Sequence, residues 1–171
     1  MANKTLANPR IIEWGGATKV KRLILNGQTW NAGQFLRFPT GGFLTVSATG
    51  DDVAAGGLQY YALKTQTDPG DTTSLADVVM IHSDTIFEGN IWHSSAPSAL
   101  APASIIGNTY AIDVTSNICS VDLEVKGDAN AAFYLDDVAS NYETSGNNLA
   151  TDQYGLVTFK VLTTVLEAIT V

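Results

Sequence analysis

Apolar and polar residues alternate in short runs along this chain, and turn-forming residues interrupt the runs at close intervals. A period of two marks a strand with one buried face. Ser120 to Val125 shows it most clearly, with Val121, Leu123 and Val125 set inward and Asp122 and Glu124 outward. Thr18 to Leu25 begins with the same alternation and ends apolar. The Asn26-Gly27 pair that follows predicts a type I′ hairpin turn, whose two central residues both need positive φ. Gln34 to Phe38 reads as a short strand stopped by Pro39, and Phe43 to Ser47 as the next. Leu58 to Thr67 is a run of β-favouring residues. Asp68-Pro69-Gly70-Asp71 predicts a turn in which proline presets φ and glycine accepts positive φ. Val78 to His82, Thr85 to Trp92, Gly107 to Ile112, Ala131 to Leu135 and Leu156 to Val171 supply the remaining strands. A short helix at Val161 to Ala168 is opposed by Thr163, Thr164, Val165 and Ile169, because β-branched side chains are stiff in helices. The count is roughly ten to twelve short strands at the spacing of a sandwich or barrel, with no alternation of strands and helices.

Three stretches fall outside this rhythm. Residues 1–10 are polar and irregular, and Pro9 holds Asn8 extended. Residues 49–57 and 136–153 read as polar loops. Gly89 to Ile112 contains no Asp, Glu, Lys or Arg, and its Ala/Ser/Pro-rich middle suits a linker on a neighbour or a buried crossing.

Charge changes the picture more than composition does. Six of the nine basic side chains, but only one of the seventeen acids, fall in residues 1–40. That part carries +5, and residues 41–171 carry −13. A basic leader on an acidic β-body suggests docking to an acidic partner. The reading is an extended N-terminal arm over residues 1–14 and a single domain over 15–171. An acidic body repels phosphate, so nucleic acid is not an expected partner. No run of eighteen apolar residues predicts a membrane helix, and Met1-Ala2-Asn3-Lys4-Thr5 lacks an apolar signal core. Neither a membrane partner nor secretion is expected.

Candidate chemistry is sparse. The phosphate-loop, Gly-x-Ser-x-Gly and His-Glu-x-x-His signatures are missing. His82 and His93 sit in apolar strand patterns and read as structural. Cys119, the single cysteine, reads as a small buried hydrophobe. The acid pairs Asp51-Asp52 and Asp136-Asp137, and the loop start Asp128-Ala129-Asn130, lack the full ligand pattern of a calcium loop. Trp14, Trp30 and Trp92 suit core or interface packing, with sugar stacking as the alternative. The chain reads as a non-enzyme with no catalytic residue, no metal and no cofactor.

Several stretches resemble the head decoration, or cement, proteins of tailed bacteriophages. They are Asn26 to Leu36 with Gly41-Gly42-Phe43-Leu44, Thr85 to His93 with Gly107 to Ile112, and Tyr154 to Leu162 with Val165-Leu166. The resemblance implies an all-β protein: an antiparallel β-sandwich or barrel-like body, of a β-tulip-like kind, with an extended N-terminal arm. It further implies a virion protein on the capsid exterior, assembled in the host cytoplasm. Its partners would be the major capsid protein and itself, as a homotrimer or else a dimer, stabilising the junctions between capsomers. The basic arm agrees with this. The expected capsid contacts are Lys4, Leu6, Arg10, Ile11, Ile12 and Trp14, with Lys19, Lys21, Arg22 and Arg37 nearby. Deleting residues 2–14 is then expected to abolish binding and to leave the body folded. The alternative is a carbohydrate-binding or adhesin module of a phage fibre, and a third reading, a hydrolase with carboxylates assembled by the fold, has no spacing behind it.

Overall fold

A computed structural model describes residues 5–38, 41–49, 57–93, 105–127, 131–138 and 154–162. Lys4, Asp51-Asp52, the run from Ser94 to Ser104, Asp128-Ala129-Asn130, residues 139–153 and residues 163–171 lie outside that set. Eleven strands occur among the described residues: β1 (Arg10–Glu13), β2 (Thr18–Leu23), β3 (Phe35–Arg37), β4 (Thr45–Val46), β5 (Tyr60–Ala62), β6 (Leu75–Met80), β7 (Ile86–Trp92), β8 (Thr109–Thr115), β9 (Ile118–Lys126), β10 (Phe133–Val138) and β11 (Leu156–Val161). The chain is all-β, as its alternation predicts, and its two mainly antiparallel sheets pack in a sandwich-like arrangement.

One sheet runs β2-β6-β5-β3-β4. The other runs β1-β7-β11-β10-β8-β9 and closes on itself, because Ile91 and Trp92 of β7 pair in parallel with Val121 and Asp122 of β9. The remaining β7 positions on that edge, Ile86 to Glu88, pair with β1. Closure removes most free edges of this sheet, and β1 finishes the job over the first half of β7.

The inward residues follow the two-residue period. Val157, Phe159 and Val161 of β11 are buried while Leu156, Thr158 and Lys160 are not. Phe35 reaches from β3 into the interior of the closed sheet, 5.0 Å from the Phe87 ring and 5.2 Å from Phe133. Phe133 and Phe159 stand 4.7 Å apart. Each of these rings contributes about 1.5–3 kcal/mol by leaving water. The five-stranded sheet is buried on its other face too, where Ile24, Trp30, Leu36, Leu44, Tyr60, Ala62, Ala76 and Val78 form a second core.

Local expectations change at several points, and the polar loop expected over 136–153 is strand at its start, since β10 runs to Val138. The Asn26-Gly27 turn forms, with Gln28 N bonded to Leu25 O at 3.3 Å, but only Gly27 takes positive φ. It is not a type I′ hairpin: Trp30 pairs across to Gln66 instead of back onto β2. The tight hairpin with two positive-φ residues is Ser116-Asn117, between β8 and β9. Strand β6 starts at Leu75, three residues before the expected Val78, and the predicted strand from Leu58 to Thr67 pairs as β5 only over Tyr60–Ala62.

The leader is the largest difference. Residues 7–13 do not stand off as an arm but lie along the body. Ala7 N donates to Asn90 Oδ1 at 2.9 Å, and Asn8 Oδ1 accepts from Cys119 N at 2.8 Å. The Tyr61 hydroxyl donates to Pro9 O at 2.7 Å. Pro9 is buried, and a Cβ on Gly89 would come within 3.1 Å of its ring. The backbone groups of this short polar stretch find partners on both sheets, so the leader stitches them together.

Candidate functional site

The β1–β2 turn brings an edge of each sheet to one corner. Trp14 O accepts from Ala17 N at 2.7 Å and from Thr85 Oγ1 at 3.0 Å. Gly15 holds φ at +49°, and a Cβ there would meet Asp84 O at 2.1 Å, so the corner requires glycine. Two surfaces of opposite character meet here.

The first lies on β2 and β6, on the exposed end of the face that buries Val79 in the main core. Lys19, Lys21 and Leu23 share one face by the two-residue period, with Val79, Asp77 and Leu75 opposite them. The Lys19 ammonium sits 5.7 Å from the centre of the Trp14 ring, an exposed cation–π contact worth about 0.5–1 kcal/mol. Lys21 Nζ stands 3.9 Å from Asp77 Oδ1, both largely exposed. Trp14, Leu23 and Leu75 are 43%, 36% and 56% exposed. The result is a stripe of two cations and three large apolar side chains along the edge of a sheet.

The second surface is a shallow cleft of about 280 Å³ on the outer side of β1, β7, β11 and β10. Ile12, Ile86, Val138 and Thr158 line it together with Glu13, Glu88, Asp136 and Asp137. Register shifts frame it on both sides, between Ile11 and Glu13 and between Leu135 and Asp137. The second shift leaves the neighbours Asp136 and Asp137 both exposed, against the usual alternation. One row crosses the sheet through Arg10, Glu88, Thr158 and Asp137. Arg10 Nη2 binds Glu88 Oε1 at 2.7 Å, and Arg10 Nε donates to the same oxygen at 2.9 Å.

The ten expected contact residues therefore separate. Trp14, Lys19 and Lys21 come together in the stripe. Arg10 and Ile12 belong to the cleft side. Ile11 packs on the main core and Leu6 is half-buried. Arg22 points to the opposite face of β2: its Nε donates to the Tyr60 hydroxyl at 2.9 Å, and its guanidinium lies over the Phe38 and Tyr60 rings. Arg37 Nε donates to Val46 O at 3.2 Å. Lys4 lies outside the described residues. Leu23 and Leu75 were not among the expected contacts. The alternation Leu75-x-Asp77-x-Val79 was the available signal, hidden by starting that strand at Val78.

Other candidates resolve as structure. Cys119 is buried, 3.7 Å from Ser47 Oγ, as a small hydrophobe should be. Trp30 is buried in the second core. Asp68 accepts from Gly70 N and Gly27 N, and Asp71 from Thr73 N and Ser74 N; these bonds lower both carboxyl pKa values. Asp122 faces away from the main core, as its alternation predicts, yet it is buried rather than exposed. Burial raises its pKa, Asp113 and Glu124 add to the rise, and the Glu124 N–H bond opposes it. His82 is not held within a strand: it is half-exposed beyond β6, its Nδ1 accepting from Asp84 N at 3.3 Å. Among the described residues, no group of three or more His, Cys, Asp or Glu is placed to hold a metal, and no helix is long and apolar enough to cross a membrane. No protein-family model, curated protein or solved structure matches this chain.

Proposed function

We propose that this chain is a non-enzymatic decoration protein of a tailed-bacteriophage head, fastened to an acidic and partly apolar patch of the capsid shell through the β2–β6 stripe. The stripe of Trp14, Lys19, Lys21, Leu23 and Leu75 is the observation that carries this reading. Large apolar side chains on a rigid sheet edge supply burial on contact, whereas the two ammonium groups steer and orient. The docking element is the corner and the second strand rather than a detached arm, because the leader is occupied in holding the sheets together. Self-association as a homotrimer on the shell belongs to the same proposal.

Cosedimentation with shells stripped of their decoration protein tests it. The unaltered protein is expected to pellet with shells and to raise their resistance to heat. A Leu23→Ser/Leu75→Ser variant, folded by circular dichroism, is expected to stay in the supernatant. Equal pelleting of both proteins sinks the stripe. A protein that ignores shells but changes its Trp14 fluorescence with a glycan belongs instead to the adhesin class.

A further inference from the structure

We infer that the open edge of β2 takes an added strand from the shell protein, an extended segment with carboxylates at alternate positions. This rests on the decoration reading and names how that surface is engaged.

The argument starts from the ladder. Ile24 N donates to Ser74 O at 3.1 Å, and β2 pairs with β6 without a register shift. Hydrogen-bonded and non-hydrogen-bonded pairs alternate in an antiparallel ladder. Arg22, Val20 and Thr18 therefore bond to β6, whereas the N–H and C=O groups of Lys19, Lys21 and Leu23 point away from β6. Two observations agree. Leu23 O accepts from Leu44 N at 2.7 Å, and Lys21 O accepts from Arg22 Nη1 at 3.1 Å. Beyond Leu23 the edge is already extended, since Ile24 bridges Leu44 in parallel and Leu25 N donates to Leu44 O at 3.1 Å. Among the described residues, no strand continues this pairing along Lys19 and Lys21.

The same residues that turn their backbone outward carry the stripe on one face. An incoming strand that bonds to Lys19 and to the N–H groups of Lys21 and Leu23, whose carbonyls are taken, thus sets its own alternate side chains beside two ammonium groups. Carboxylates opposite the lysines complete the match. Lysines on an edge otherwise deter pairing, so an acidic strand is admitted and a neutral or basic one is not.

Hydrogen–deuterium exchange on the full chain tests this, read with stripped shells, with a blocked nine-residue peptide alternating glutamate and valine, and with its lysine–valine counterpart. The Lys19, Lys21 and Leu23 amides are expected to slow by about tenfold or more with shells and with the acidic peptide, and not with the basic one. Lys21→Pro removes one outward donor and leaves the bonds to β6, so it is expected to lose both effects while keeping its fold; Lys21→Arg is expected to keep them. Full shell binding by folded Lys21→Pro, or shell binding without protection of these amides, overturns strand addition and spares the decoration reading. Protection by the acidic peptide in a protein that ignores shells does the reverse.

Discussion

The stripe and the cleft share one turn of backbone and differ in what their charges do. Beside the cleft, Arg10 is consumed by Glu88 at 2.7 Å, and the register shift at Asp136 turns two adjacent carboxylates outward. In the stripe, the lysines face an aromatic ring and a carboxylate 3.9 Å away, and three large apolar side chains stay half-exposed beside them. A cationic segment is therefore not a cationic surface. The fold sets Arg10, the pair Lys19 and Lys21, and Arg22 on three separate faces, and among the described basic residues of positions 1–40 only Lys19 and Lys21 lie with Trp14 in the stripe.

The largest expected effect falls on what both surfaces share. Phe159→Ala opens a cavity among three buried rings and is expected to cost about 3–5 kcal/mol in denaturant unfolding, removing stripe and cleft together. A Tm equal to the wild type would mean that these rings do not form one core.

The stripe and cleft should then part company. Leu75→Ser is expected to weaken shell binding by about tenfold, since a newly buried half-exposed leucine contributes about 1–2 kcal/mol. Its melting temperature should hardly move, because surface changes lie within about 0.5 kcal/mol. Lys21→Glu is expected to weaken binding by a smaller factor that shrinks as salt rises. Asp137→Lys, in the cleft, is expected to leave shell binding unchanged. Equal losses from the two charge changes, read by titration at two ionic strengths, would erase the distinction.

A pH effect isolates the leader. Burial first, and then the Cys119 charge, push the Tyr61 phenol up to about 12 from 10.0. The folded state keeps a proton that the unfolded chain loses above 10, so this contribution is intact below pH 10 and is lost as pH rises toward 12. Tyr61→Phe is expected to flatten that loss and to loosen Pro9, read as faster amide exchange over residues 7–13. At the acid end the sign is opposite and the effect smallest. Asp71 has a lowered pKa, so its contribution is present above the unfolded value and lost as pH falls through the folded one. Asp71→Asn should reduce the acid-side slope of stability.

Much of this architecture was legible in the pattern of residues. Val157, Phe159 and Val161 announce their inward face, Cys119 its burial, and Asp68-Pro69-Gly70 its turn. The misses have local causes. Ser116-Asn117 adopts the double positive φ that Asn26-Gly27 was expected to take, because β8 and β9 are in register to be joined and β2 has β6 beside it instead. Leu75 went unseen because Asp71, Thr73 and Ser74 extend turn chemistry to its doorstep.

Alternation and turn residues settle that this chain forms short strands around a β-core, since those preferences act between neighbours in sequence. Which strand lies beside which is decided by contacts over long separations. Pro9 under Tyr61, Arg10 on Glu88, and Leu23 opposite Leu75 join residues dozens of positions apart, and no local preference encodes them. Those same contacts turn a basic leader into a structural stitch and leave Lys19 and Lys21 on a stretch of β2 that no further strand pairs among the described residues.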